Sequence, residues 1–199
     1  FLNKLADESD IGSYMFYPEL RMLPDECRDI MLNVYLQYNT IKVFALDTSI
    51  NFWKNIQSDC RAISDSDRSS VNEEVIVVAA GPSLDDNIDF LRENKGKKTI
   101  LAVGTVFRKL LNLGIEPDAV LVLDPQERTY KQIEGLEDRQ VPMILSAVTY
   151  WKFASKYQGK KFLVHTESNN LSASYAHSHN EEPWEWGGTV TAFAMQVAI

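Results

Sequence analysis

Between residues 75 and 105 a short apolar run, a small-residue turn and an amphipathic stretch follow one another and then begin again. Val75-Ile76-Val77-Val78-Ala79-Ala80 is rich in β-branched residues and unbroken by polar ones, the pattern of a strand buried on both faces. It passes into Gly81-Pro82-Ser83, after which Leu84, Ile88 and Leu91 recur at i, i+4 and i+7. That spacing predicts one face of a helix running to about residue 94, with Ser83 as its N-cap and Asp86 three residues on. The second strand is predicted at 99–103, followed by Gly104-Thr105 and a helix through Phe107, Leu110 and Leu111 that Gly114 closes.

The alternation continues downstream. A third strand is predicted at 119–123, with Asp124-Pro125 opening the next helix as N-cap and first helical residue. Strands at 143–146 and 161–165 flank a helical stretch around 150–157, and Gly187-Gly188-Thr189 opens a last helix bearing Val190, Phe193, Ala194 and Val197. Strands alternating with helices at this spacing predict an α/β domain: a Rossmann-like, mostly parallel sheet with helices on both faces. Before it the periodicity is helical, over 24–38 and again over 47–62, and the polar run from Ile63 to Ser70 reads as a linker. The expected organisation is therefore a small, mainly helical segment with linker at 1–70 and a nucleotide-binding domain at 71–199. The final helical pattern is still running at Ile199, and the chain begins at Phe1 without a methionine, so a piece of a longer polypeptide is expected.

Composition trims the alternatives. A net charge of −8 with no basic patch beyond Lys95, Lys97 and Lys98 argues against nucleic acid as a partner. No apolar run is long enough for a membrane span and no signal peptide is present, so a cytoplasmic protein is expected. Cys27 and Cys60 have neither metal nor redox spacing and read as two unpaired thiols.

In an open parallel sheet, ligands sit beyond the carboxyl ends of the strands. The residues there are Gly81-Pro82-Ser83, Gly104-Thr105, Asp124, Ser146 and His165-Thr166-Glu167, with Gly187-Gly188-Thr189 as a further small-residue helix start. Any one of these turns is ordinary helix punctuation; their meeting on one edge points to a phosphorylated ligand held by backbone N–H groups. The dinucleotide pattern G-x-G-x-x-G is absent and no carboxylate ends the second strand, which argues against an NAD dehydrogenase. A P-loop is absent too.

Asp124 could act as general base, bind a divalent ion, or cap a helix, whereas Asp118 lies at the opposite edge and reads as a turn residue. His165, at a strand end, is the candidate histidine for acid–base work, with a purely structural histidine as the alternative. His177-Ser178-His179 with Glu181 and Glu182 has the residue types of a metal site but no surrounding periodicity, so it reads as a polar loop and no metal is assigned. Trp184 and Trp186 beside Gly187 could stack on a base or a sugar ring. Asp65-Ser66-Asp67 has the form of a sugar-transferase metal clamp but falls in the linker.

Gly81-Pro82-Ser83-Leu84-Asp85, Gly104-Thr105, the segment Leu110 to Asp118 ending Gly-Ile-x-Pro-Asp, Asp124 and Gly187-Gly188-Thr189-Val190 together resemble one family. It joins archaeal 6-hydroxymethylpterin diphosphokinases with bacterial motility accessory factors, which are flagellin glycosyltransferases. Upstream, Tyr17-Pro18-Glu19-Leu20, Asn39-Thr40 and Phe52-Trp53-Lys54-Asn55-Ile56 are similar to the region preceding the core in the motility accessory factors. The resemblance implies transfer of a nucleotide-activated sugar, a CMP-linked nonulosonic acid in the flagellar case, to Ser or Thr of an acceptor protein such as flagellin. It places Gly81, Pro82, Ser83, Gly104, Thr105, Asp124, Gly188 and Thr189 at the nucleotide, and implies a further strand and a Gly-Gln-Asp-Leu-like segment beyond this sequence. Asp124 or His165 would then deprotonate the acceptor hydroxyl. Two alternatives stay open: diphosphate transfer from ATP to a pterin alcohol, which would use Mg²⁺, and a non-catalytic nucleotide-binding or interaction module.

Overall fold

The computed structural model describes residues 25–63, 74–185 and 187–198. The chain divides into two compact units, Phe1–Leu46 and Asp47–Ile199. The boundary precedes the polar stretch at 63–70, so residues 47–62 go with the sheet unit. Positions 17–20, 65–67 and 186, singled out above, lie outside the described residues.

Helix α1 (Asp25–Asn55) is continuous where two separate helices are expected. The interruption expected between residues 38 and 47 does not occur, and within it the Thr40 hydroxyl donates to the Leu36 carbonyl one turn back. Within the first unit this helix leaves Ile30, Val34, Val43 and Leu46 exposed. Within the second, its last turns bury Asn51, Phe52 and Asn55.

The second unit is built on five parallel strands, β1 (Val75–Val78), β2 (Thr99–Val103), β3 (Ala119–Val122), β4 (Met143–Ser146) and β5 (Lys161–Val164). Their order across the sheet is their order in the chain. Register runs Val75 to Thr99, Leu101 to Ala119, Val120 to Met143 and Met143 to Lys161. At the outer side of β5, Arg61 adds a one-residue parallel bridge to Phe162.

Four successive crossovers step the same way, and right-handed crossovers therefore stack their helices on one face. These are α2 (Ser83–Asp86) with α3 (Ile88–Asn94), α4 (Gly104–Asn112), a 3₁₀ segment (Glu127–Gln132) and α5 (Lys152–Lys156). After β5 the direction reverses. Helix α6 (Asn170–Ser178) follows, and α7 (Val190–Val197) returns to lie against β1, β2 and β3, covering the other face. Sandwiching the sheet encloses Ile100, Phe107, Leu110, Leu121, Leu145, Phe153 and Phe193, each worth about 1.5–3 kcal/mol on burial.

Two turn readings hold. Gly114 takes a φ of 73° just after α4, a left-handed C-cap that favours glycine. Asp118 lies at the amino edge, where its Oδ2 accepts from the Ile100 N–H at 2.7 Å and its own N–H donates to the Ile100 carbonyl. Asp118→Ala would strip a part-buried N–H of its acceptor, and is expected to lower the urea-unfolding free energy by about 1–3 kcal/mol. An unchanged unfolding midpoint would show that the Asp118 carboxylate does not fasten β3 to β2.

Candidate functional site

The carboxyl edge has two halves of different character. At β1 the turn is wound on itself: the Gly81 N–H donates to Ala79 O at 2.9 Å, Leu84 N–H to Gly81 O, and Asp85 N–H to Pro82 O. Pro82, not Ser83, occupies the cap position, and no side chain caps the four-residue α2. The expected N-cap is thus displaced by one residue, because the proline already has the helical φ that a first turn needs. With Gly81's N–H engaged and none on Pro82, only Ser83 can present a backbone donor from this turn. A Cβ on Gly81 would fit without a clash, its nearest contact being Ser83 Oγ at 3.6 Å.

At β2, Gly104 is the first residue of α4 and no side chain caps the helix. A Cβ there would collide with the Gln132 side chain and approach Val122 Cγ2 to 2.9 Å, so packing requires the glycine. Thr105 beside it is exposed. The uncapped first turn presents N–H groups and the positive end of the helix at the edge. Helix α7 begins a few residues after Trp184, which pairs with the carboxyl end of β5 through Trp184 N–H to His165 O and Glu167 N–H to Trp184 O. Gly188 has a φ of 77°, and a Cβ on Gly187 would sit 2.7 Å from Ala192 Cβ. Thr189 caps α7 by accepting from Ala192 N–H at 3.1 Å.

In the other half, polar side chains turn inward. Asp124 Oδ1 accepts from Gln126 N–H at 2.8 Å, an Asx turn, and the Asp124 carbonyl accepts from Tyr150 N–H at 3.1 Å. The α-helix expected from Asp124-Pro125 is replaced by the 3₁₀ segment starting at Glu127, with Gln126 at its N-cap position and no side-chain cap. Asp124 spends one oxygen on its own turn, and its side chain is half-buried. Ser146 is buried, its Oγ facing Val148 N–H at 3.4 Å. Thr149 Oγ1 donates to Val122 O at 3.0 Å, tying the β4 loop to the end of β3.

His165 is 5% exposed, with Nδ1 at 2.9 Å from Ser172 Oγ and Nε2 at 3.8 Å from Glu181 Oε2. Tyr175 and Phe52 flank its ring, at 5.3 and 6.3 Å between centroids. Burial holds the imidazole pKa below its ordinary value, against the opposing pull of the Glu181 carboxylate. The expected loop at His177-Ser178-His179 is instead the end of α6, a helix started by Asn169 Oδ1 accepting from Ser172 N–H. His179 stacks on Tyr175 at 4.0 Å, and His177 Nε2 lies 3.9 Å from Glu167 Oε1. Among the described residues, no group of three His, Cys, Asp or Glu side chains could hold a metal ion.

Absent from the sequence reading is a polar cluster on the β3 and β4 loops. Tyr150 Oη donates to Glu127 Oε1 at 2.8 Å and Lys152 Nζ lies 3.3 Å from the same oxygen. The tyrosine bond and then the lysine hold the Glu127 carboxyl below its usual range. Glu127 stands more than twenty positions from Tyr150 and Lys152 with no periodic relation, so only the fold brings them together. A groove of about 210 Å³ lies beside β1, lined by Ile76, Val78, Ser83, Asn87, Phe90 and neighbours, and of the predicted site residues it takes in Ser83 alone.

The histidine sets a pH test. A folded pKa below the unfolded value of about 6.5 makes the unfolded chain take up the proton first. His165 therefore contributes its full stability above about pH 6.5 and loses it as pH falls from there through the lower folded value. The urea midpoint is expected to decline on acidification across that window, and His165→Gln to flatten the decline. Equal pH profiles for both proteins would count against a buried neutral imidazole.

No curated protein matches the chain. Among solved structures it is similar to the MAf glycosyltransferase from Magnetospirillum magneticum AMB-1, with a TM-score of 0.60 at 18% sequence identity, over 76% of this chain and 24% of that one. That likeness is one of fold, and the chain spans about a quarter of that protein's length. The family model described as 6-hydroxymethylpterin diphosphokinase MptE-like matches residues 46–199, beginning one residue before the sheet unit. The chain thus belongs to the 6-hydroxymethylpterin diphosphokinase MptE-like family.

Proposed function

We propose that the sheet unit binds a nucleotide-activated sugar of the CMP-nonulosonate type at its carboxyl edge and serves its transfer to Ser or Thr of an acceptor protein such as flagellin, in the cytoplasm. The observation that carries the reading is the start of two helices, α4 at Gly104-Thr105 and α7 at Gly188-Thr189, at the edge where β1 ends in the open Gly81 turn. Helix starts offer backbone N–H donors and a positive field to a phosphate. The fold shared with a MAf glycosyltransferase supports the sugar donor over other nucleotides.

In this reading the acceptor oxygen forms a new bond to the anomeric carbon. The bond from that carbon to the phosphate oxygen breaks, and CMP leaves with its electron pair. The backbone donors stabilise the charge gathering on the leaving phosphate. Asp124 takes the acceptor's proton through the carboxylate oxygen that the Asx turn leaves over. His165 is enclosed, so it serves as the base only if the segment bearing Glu181 moves away.

The family's own description favours a second reading, diphosphate transfer from ATP to a pterin alcohol. Mg²⁺ on such a substrate is held mainly by phosphates and one or two carboxylates, and Asp124 is a carboxylate at this edge with one oxygen left over from its own turn.

A thermal-shift panel of CMP, CDP, UDP and ATP, each with and without Mg²⁺, separates the readings. Stabilisation by CMP without metal is expected, corresponding to about 2.7 kcal/mol at a hundredfold excess over Kd. Stabilisation confined to ATP with Mg²⁺ would replace the sugar transferase by the diphosphokinase, and silence throughout would leave an interaction module. Ser83→Asp, which sets a carboxylate against the phosphate, is expected to abolish the CMP shift while leaving the unliganded melting temperature within a few degrees. An undiminished shift would remove the Gly81-Pro82-Ser83 turn from the site.

A further inference from the structure

The end of α1 carries two asparagines that the proposed chemistry leaves without a part. Asn51 and Asn55 stand one turn apart on one side of the helix, 3% and 1% exposed. Asn51 Nδ2 donates to Pro125 O at 2.9 Å and to Val148 O at 3.2 Å, while its Oδ1 accepts from Trp151 N–H at 3.2 Å. Asn55 Nδ2 donates to Ala147 O at 3.1 Å and Thr149 O at 2.7 Å. Two side chains thus bind backbone groups of five residues, all of them in the loops that leave the carboxyl ends of β3 and β4.

Pro125 is the residue after Asp124, and Asp124 is joined to Tyr150 by its carbonyl. The peptide bearing Asp124 is therefore gripped from the helix on one side and from the β4 loop on the other. Tyr150, in that same loop, and Lys152, the first residue of α5 after it, hold Glu127. Asn55 Oδ1 is buried without a hydrogen-bond partner among the described residues, which carries a desolvation cost. An apolar side chain would escape that cost, so the position is occupied for what the amide nitrogen does. That nitrogen holds two carbonyls of one loop.

We propose that Asn51 and Asn55 are positioning residues of the ligand edge: they fix the two loops so that Asp124 and the Glu127–Tyr150 pair keep their places relative to the helix starts of α4 and α7. The proposal rests on the nucleotide reading above for the identity of the ligand. It assigns the Phe52-Trp53-Lys54-Asn55 stretch a division of labour. Phe52 packs against His165 and Tyr175, Lys54 lies 3.7 Å from the Trp151 ring centroid, and Asn55 ties down the loop that precedes Trp151.

Amide hydrogen exchange with a CMP titration on the same samples tests it in the full chain. In Asn51→Ala the Trp151 amide is expected to exchange about fivefold to tenfold faster, with β2 and β4 amides unchanged and CMP affinity of the folded protein lowered at least tenfold. Asn51→Asp keeps the acceptor for Trp151, so that amide stays protected. It loses the donor to Pro125 and Val148, and CMP affinity is expected to fall again. Should Asn51→Ala not fold, Asn51→Asp and Asn55→Ser carry the test. If wild type binds CMP and the variants bind it equally well with their loop amides released, the positioning role is overturned and the nucleotide reading stands. If wild type binds none of CMP, CDP, UDP and ATP, the nucleotide reading falls and this role at a nucleotide site falls with it. Protected loop amides in Asn51→Ala would overturn the clamp itself.

Discussion

Every strand of this sheet points the same way, and that single condition decides where everything else can be. A parallel ladder cannot be closed by a tight turn, so each strand must be followed by a crossover that starts at one edge and returns to the other. Five strands laid down in chain order thus put five strand ends, with the turns that follow them, along one rim. Helix α7 adds the start of a helix from the far end of the chain, because the path reverses only after β5. The rim is a product of hydrogen-bond direction, and the side chains found there were placed by it.

Along that rim the two ends are built differently. From β1 and β2 to the start of α7 the groups on offer are backbone donors, small residues and exposed hydroxyls. From β3 to β5 the polar side chains are already committed: Asp124 to its own turn, Thr149 to Val122, His165 to Ser172, Asn51 and Asn55 to the loops. Commitment removes rotamer freedom, so a group that must act there is pre-oriented. In the proposed reading the first end takes the charged ligand and the second the proton acceptor.

The strands could be read from the sequence because a parallel strand buried on both faces is a plain apolar run. β2 and β4 match the expected residues, and β1, β3 and β5 stop short only where Ala79, Leu123 and His165 leave the ladder to start their turns. Helix boundaries were harder. The helix expected from Leu84 to about 94 breaks at Asn87, whose side-chain amide reaches back to the Ser83 carbonyl. Helix α6 gave no periodic signal, since its buried positions are Ser172, Ala173 and Ala176, small or polar residues that no hydrophobic pattern registers. The members of the candidate site were visible as strand-end residues. Their mutual bonds, such as Tyr150 to Glu127, depend on distances that local spacing does not encode.

Gly104 carries a lesson for reading other chains. A glycine at the end of a strand and the head of a helix invites interpretation as room left for a ligand. Here the Gln132 side chain and Val122 already fill that room. Replacing Gly104 by alanine would thus disturb the seam between α4 and the 3₁₀ segment, whatever the site holds. Motif searches that score such glycines as ligand markers will overcount wherever a neighbouring side chain has taken the space. The contrasting glycine is Gly81, where an added Cβ would make only an ordinary contact with Ser83 Oγ.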